Sequence, residues 1–169
     1  YAEAQWHQDL PNWIGGHVRA IKYFGGVPDI IVPDNLKAGV SHPSRYDPEI
    51  NPTYQEMAEH YGVAVIPARV RKPRDKSKAE VGVQNVEWWI IARLRNRKFF
   101  SLFDLNRAME KLLVELNDRK MEHLGKSRRE LFELYDRPAL KPLPASPYEF
   151  AIWKKARINI DYHVEYEGH

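Results

Sequence analysis

Two short, almost wholly apolar runs, Val27-Pro28-Asp29-Ile30-Ile31-Val32 and Val63-Ala64-Val65-Ile66, lie on either side of a helix-period segment at 53–61. Runs of this kind suit strands covered on both faces, as in a parallel sheet, and strands that alternate with helices define an α/β fold. Gly62 closes the intervening helix and Pro33-Asp34-Asn35 ends the first run, both good stop signals. The rest of the chain must be fitted around this unit.

Upstream, residues 1–8 partly alternate and predict a strand. Asn12 is a candidate cap for a helix at 12–24, with Ile14, Val18, Ile21 and Phe24 on one face and Gly25-Gly26 as its stop. Residues 37–52, rich in Ser, Pro, Gly and Asp, read as a loop. Downstream, the longest helix is expected over 79–99, with Val83, Val86, Ile90 and Leu94 at helical steps. Ser101 or Asp104 opens an amphipathic helix carrying Leu105, Met109, Leu112, Leu113 and Leu116, and Ser127 opens another that ends before Arg137-Pro138. The Pro-punctuated run 139–147 reads as a linker, and the alternating tail 157–166 as strands of a small β module. No apolar run approaches the about 18 residues needed to span a bilayer, and no secretory leader is visible. The chain contains no cysteine, which excludes disulfides, thiolate metal sites and cysteine nucleophiles.

Charge becomes informative only once it is located. The whole chain carries a formal +3, yet residues 66–98 hold ten Lys/Arg against three acids. A segregated basic block is what phosphate-backbone binding requires, because each neutralised phosphate releases counterions. Arg93, Arg95, Arg97 and Lys98 could equally be cations suited to a helix C-terminus. For Arg69, Arg71, Lys72, Arg74, Lys76 and Lys78, held extended between Pro67 and Pro73 and beyond, DNA contact is the better reading.

Two acids stand out. Asp34 lies at the C-terminal end of an apolar strand, the edge of an α/β sheet where functional groups gather, although Pro-Asp-Asn is also a good turn. Glu80 lies near the start of the long helix, where a carboxylate also suits the macrodipole. Together, in a basic surround, two converging carboxylates make sense around a divalent metal with phosphate completing its shell. The seven histidines show no HxxxH or HxH pairing, and no P-loop, dinucleotide or nucleophile-elbow motif is present.

Several blocks then fall into one pattern. Tyr23-Phe24-Gly25-Gly26-Val27-Pro28 through Val32-Pro33-Asp34-Asn35-Leu36-Lys37, Tyr54-Gln55-Glu56-Met57-Ala58-Glu59-His60-Tyr61-Gly62, Pro67-Ala68-Arg69 to Lys78-Ala79-Glu80, and Tyr148-Glu149-Phe150 to Asn159-Ile160-Asp161-Tyr162-His163-Val164 together resemble the IstA-type insertion-sequence transposases. These are DDE transposases, similar to retroviral integrases. The resemblance implies an α/β, partial RNase H-like core at 1–100, a helical extension at 101–137, and a linker with the start of a small β-barrel-like module at 138–169. It implies that Asp34 and Glu80 are the second and third acids of the triad and ligands of Mg²⁺ or Mn²⁺, two ions in the complete enzyme. Asn35, Lys37, Arg69, Arg71, Lys72, Arg74, Lys76 and Lys78 would contact DNA. The implied partners are transposon-end and target DNA, an AAA+ ATPase helper and further copies of the chain, without a membrane, in the cytoplasm of a bacterium and on its nucleoid when DNA-bound.

One departure carries an expectation of its own. The first acid of such triads sits on the first core strand, whereas here only Glu3, Asp9 and Asp29 precede Asp34, and residues 1–8 match the family's third core strand. The resemblance therefore implies a fragment that is catalytically silent by itself. It also implies an unpaired edge at 1–8 that favours oligomerisation.

Overall fold

The computed structural model describes residues 1–33, 40–42, 49–66 and 73–151. It is a mixed helical structure with a small parallel sheet. Helix α1 (Leu10–Phe24) leads to strand β1 (Ile30–Ile31), a hairpin of β2 (Val40–His42) and β3 (Glu49–Ile50), helix α2 (Pro52–Tyr61) and strand β4 (Ala64–Val65). Strands β1 and β4 pair in parallel, Ile30 opposite Ala64 and Ile31 opposite Val65. The expected strand–helix–strand unit is therefore present. The hairpin, with Val40 opposite Ile50, occupies part of the run read as a loop.

Local chemistry explains where the helices begin. The cap of α1 is Asp9, not Asn12: its carboxylate accepts from the Asn12 N–H at 3.0 Å. Pro11 fits the first helical turn, where its missing N–H is no loss, so the helix starts before Asn12. Gly25 ends α1 at φ 72, a left-handed conformation that favours glycine, and its N–H returns to the Ile21 and Lys22 carbonyls. Asn51 caps α2 and Gly62 closes it at φ 61.

Residues 1–8 form no strand in the structure, contrary to expectation. The side-chain amide of Asn106, on the later helix α5 (Leu102–Asp118), instead satisfies both backbone groups of Ala4, accepting from its N–H at 2.7 Å and donating to its carbonyl at 3.0 Å. A primary amide offers the same donor and acceptor as a neighbouring strand. The alternating pattern was real, but its partner is one side chain.

A first core joins α1, α2 and the sheet through Ile14, Ile21, Val27, Tyr54, Met57, Ala58, Tyr61 and Val63. Its outer surface differs from expectation: Ile30, Val32 and Ile66 are 51%, 54% and 51% exposed, so the strands are covered on one side only within this chain. The Tyr54 side chain is fully buried, and its hydroxyl has no hydrogen-bond partner among the described residues. A buried hydroxyl without a partner forfeits its hydration. Tyr54→Phe is therefore expected to leave stability unchanged or raise it by up to about 1 kcal/mol, and a loss of more than that in urea unfolding would show that the hydroxyl has a partner.

The long helix begins at Pro73, earlier than expected. It runs as α3 (Pro73–Val86), a π-helical turn (Glu87–Ile91) and α4 (Ala92–Leu94). It packs on α5 through a second core of Ile90, Leu94, Ala108, Met109 and Leu113. Ser101 caps α5 by accepting from the Asp104 N–H at 3.0 Å. Ser127 and Glu130 form a reciprocal capping box on α6 (Arg128–Leu131), which continues through π and 3₁₀ turns to Ala139, past the expected end at Arg137.

The run read as a linker lies against the first core. Val27 and Lys141 exchange both backbone hydrogen bonds at 2.9 Å. Gly26 makes this approach possible, since a Cβ there would lie 2.7 Å from the Leu140 Cβ. Beyond it, the Ser146 carbonyl meets His60 Nε2 at 2.9 Å, and the Tyr148 N–H donates to the Tyr61 hydroxyl at 3.1 Å. The expected β module at 157–166 lies outside the described residues.

Candidate functional site

The parallel pair fixes one edge of the molecule. The Ala64 N–H donates to the Asp29 carbonyl and the Ile66 N–H to the Ile31 carbonyl, both at 2.9 Å. The carboxyl ends of β1 and β4 thus leave the sheet side by side, the edge at which α/β folds place their ligands. In the sequence, Asp34 follows Pro33 directly and the basic segment follows Ile66. Asp34, Asn35, Lys37, Arg69, Arg71 and Lys72 themselves lie outside the described residues.

Glu80 is described, and its setting changes how it is read. Because α3 starts at Pro73, Glu80 is not in the first turn but near the middle of the helix. The macrodipole acts mainly within the terminal turn. The dipole account of Glu80 therefore loses its basis. The side chain is exposed and makes no hydrogen bond or ion pair among the described residues, leaving its carboxylate open to a ligand. The same early start corrects the picture of an extended basic track over 73–78, while 67–72 lie outside the described residues. Arg74, Lys76 and Lys78 stand on helical backbone, where Arg74 and Lys78 are one turn apart and Lys76 stands about half a turn round from each. No group of three His, Cys, Asp or Glu suited to a metal occurs among the described residues.

The three acids that precede Asp34 all have other work. Asp9 caps α1, and Asp29 pairs with the Lys141 ammonium at 3.3 Å. Glu3 accepts a two-pronged contact from Arg19, Nε at 2.8 Å and Nη2 at 2.6 Å, and also bonds with Tyr1 and Gln5. Burial pushes the Glu3 pKa up, but the hydrogen bonds from Arg19, Tyr1 and Gln5 and the Arg19 charge outweigh it and hold it at about 2. A depressed carboxylate pKa stabilises the fold above its ordinary value of 4.5, and that contribution is lost as pH falls through about 2. Thermal unfolding of the chain and of Glu3→Gln should accordingly differ at pH 6 and converge towards pH 2. A difference that persists undiminished at pH 2 would contradict the pairing.

Positive charge also collects at the far end of the second core, in a pattern the sequence reading did not assemble. Arg97 and Lys98, after α4, meet Arg107 and Lys111 of α5 around a groove of about 350 Å³. The signal was present as the i, i+4 spacing of Arg107 and Lys111, but only the packing of the two helices brings it beside Arg97. Within the π turn, Trp89 lies beneath the Arg93 guanidinium, 3.8 Å from the ring centroid, with that of Arg119 at 5.0 Å. Such stacking fixes two cations on one aromatic ring. Among the described residues no helix is long and apolar enough to cross a membrane.

No family model matches the chain. It is nevertheless similar, over nearly all its length, to proteins named as insertion-sequence transposases. It is 56% identical over 165 residues to "Putative transposase y4bL/y4kJ/y4tB" of Sinorhizobium fredii, a match covering 98% of this chain and 32% of that protein. It is 49% identical over 162 residues to "Putative transposase for insertion sequence IS408" of Burkholderia multivorans, covering 96% of this chain and 31% of the relative. A more distant relative, the transposase for insertion sequence element IS21 of Pseudomonas aeruginosa, is 26% identical over 162 residues, covering 95% of this chain and 41% of the relative. The chain thus spans about a third of the length of the first two.

Proposed function

We propose that the chain is the part of an insertion-sequence transposase that contributes Asp34 and Glu80 to a metal-dependent DDE site on an RNase H-like core, for DNA end cleavage and strand transfer. The observation that carries this reading is the similarity to transposases over nearly the whole chain. The parallel strand pair supports it, because the two segments leading to Asp34 and to Glu80 start from one sheet edge. Carboxylates are the hard oxygen donors that Mg²⁺ or Mn²⁺ takes, and the exposed Glu80 is free of a competing partner among the described residues. When bound, a pair of such ions supplies activation of the attacking oxygen and stabilisation of the leaving oxygen.

The chain's own residues would hold DNA around these acids. Arg69, Arg71 and Lys72, followed by Arg74, Lys76 and Lys78 on α3, would neutralise phosphates, with Asn35 and Lys37 beside Asp34. Since Glu3, Asp9 and Asp29 are otherwise engaged, the remaining acid of the site would come from another part of the longer protein, and the 169 residues alone would catalyse neither step. The same reading carries the division into a core at 1–100, a helical extension at 101–137, and a linker with the start of a small β module at 138–169. Its partners would be end and target DNA, an AAA+ ATPase helper and other copies of the protein, in the bacterial cytoplasm.

The test is a strand-transfer assay with the full-length protein and a labelled duplex carrying the insertion-sequence end. Joined product is expected with Mg²⁺ or Mn²⁺ and none with EDTA. Joining that survives EDTA would overturn the metal-dependent reading. Hydrolysis without joining would mark a nuclease instead.

A further inference from the structure

The groove between α4 and α5 combines three features that the proposed DDE site does not use. Arg97 and Lys98 face Arg107 and Lys111 across it. The one acid in its lining, Asp104, is already engaged, since the Ser101 hydroxyl donates to its carboxylate at 2.7 Å. In its lining one phenyl ring stands in the open, Phe100 at 96% exposure.

The local fold keeps these groups where they are. Phe99 turns inward against the second core, so its neighbour Phe100 is directed to solvent. The Arg97 guanidinium sits 5.0 Å from the Phe99 ring centroid, which ties this cation to a packed side chain. Ser101 then caps α5, fixing where that helix starts beside the groove. Arg107 and Lys111 follow at one-turn spacing along α5.

We infer that this groove binds single-stranded DNA, with Arg97, Lys98, Arg107 and Lys111 on its phosphates and Phe100 stacked on an unpaired base. The chemistry favours a nucleic acid over a protein because four cations line the groove beside the exposed ring against a single acid. It favours a single strand over a duplex because a base inside a duplex is stacked on both faces, whereas an unpaired base offers its π face to an aromatic ring. Cationic grooves with exposed aromatics recognise single strands in this way, without reading sequence. The inference rests on the proposal that the chain handles DNA, and on none of the chemistry assigned to Asp34 and Glu80.

Fluorescence anisotropy tests it, with the 169-residue chain, a labelled oligothymidylate of about 15 nucleotides and a duplex of mixed sequence as the second probe. Phe100→Ala should weaken single-strand binding by about 5- to 150-fold, the range of one lost stacking contact, and duplex binding by less than about twofold. Phe100→Trp should retain single-strand binding. Arg97→Ala/Arg107→Ala should weaken it and lower the slope of log affinity on log salt by about 1.4, two contacts at 0.7 each. Far-ultraviolet circular dichroism of each variant checks the fold.

Unchanged single-strand affinity in the Phe variant would overturn the inference, as would an equal loss on both probes. So would a Phe100 variant that alters the sedimentation of the chain without altering DNA binding, which would make the ring a protein contact. If Arg69→Ala/Arg71→Ala/Lys72→Ala abolishes all binding while the Phe variant binds normally, the inference fails and the proposed function stands. If the unaltered chain binds neither probe, both fail.

Discussion

Replacing Glu80 by glutamine in the full-length protein is expected to lower strand transfer at least about 10³-fold, because a metal ligand supplies several kcal/mol of transition-state stabilisation and each 1.36 kcal/mol is tenfold in rate. Glutamine keeps the shape and removes the charge. Structure should be spared: Glu80 is exposed, on the middle of α3, and makes no contact among the described residues whose loss would unfold the helix. An unfolding free energy within about 0.5 kcal/mol of the parent's is therefore expected. Asp34→Asn should fall to a similar residual rate. Glu87→Gln, an exposed acid farther along the same helix, serves as the comparison and should retain activity within about twofold. If Glu80→Gln joins ends at the parental rate, Glu80 is not a ligand, whatever the family resemblance.

The second large effect concerns stability. Met57→Ala is expected to destabilise the chain by about 2–5 kcal/mol, a substantial part of the about 5–15 kcal/mol that holds a typical domain. Met57 lies on α2 with no exposed surface, where it is surrounded by the α1, α2 and sheet residues of the first core. Its removal leaves a cavity where three elements meet and none can close on it alone. Urea unfolding followed by circular dichroism measures the cost. A loss below about 1 kcal/mol would mean that α2 is packed less firmly than its zero exposure implies.

The strand–helix–strand unit was legible because its signals are local: apolar runs of strand length, a helical period and glycine stops. Helix α5 was legible for the same reason, its apolar residues falling at helical steps from a serine cap. Residues 1–8 were misread because their alternation is completed by the Asn106 side chain, 102 positions from Ala4, which no window along the chain contains. Asp9 and Asn12 are both good caps, and Pro11, tolerated in a first turn, decided between them. Pro73 follows the same rule: expected to hold the basic segment extended, it begins α3. The candidate site was legible only as residue types near an edge. Sequence proposed Asp34 and Glu80 together, while the structure places Glu80 on a helix that starts earlier than expected and leaves Asp34 outside the described residues. The groove at Arg97 and Arg107 was hidden because one half belongs to the segment after α4 and the other to α5.

The strap formed by residues 140–148 bears on the order of folding. The Tyr148 hydroxyl donates to the Thr53 carbonyl at 3.4 Å, a contact spanning 95 positions, and the Val27–Lys141 exchange closes a still larger ring of chain. Closing rings of this size costs entropy that local helix formation does not, and contacts of high sequence separation slow a folding reaction. α1, α2 and the strand pair offer the surface on which the strap lies, and their contacts are closer along the chain. Docking of the strap is therefore expected to follow theirs, which would show as slower amide protection at 140–148 than in α1 and α2 during refolding.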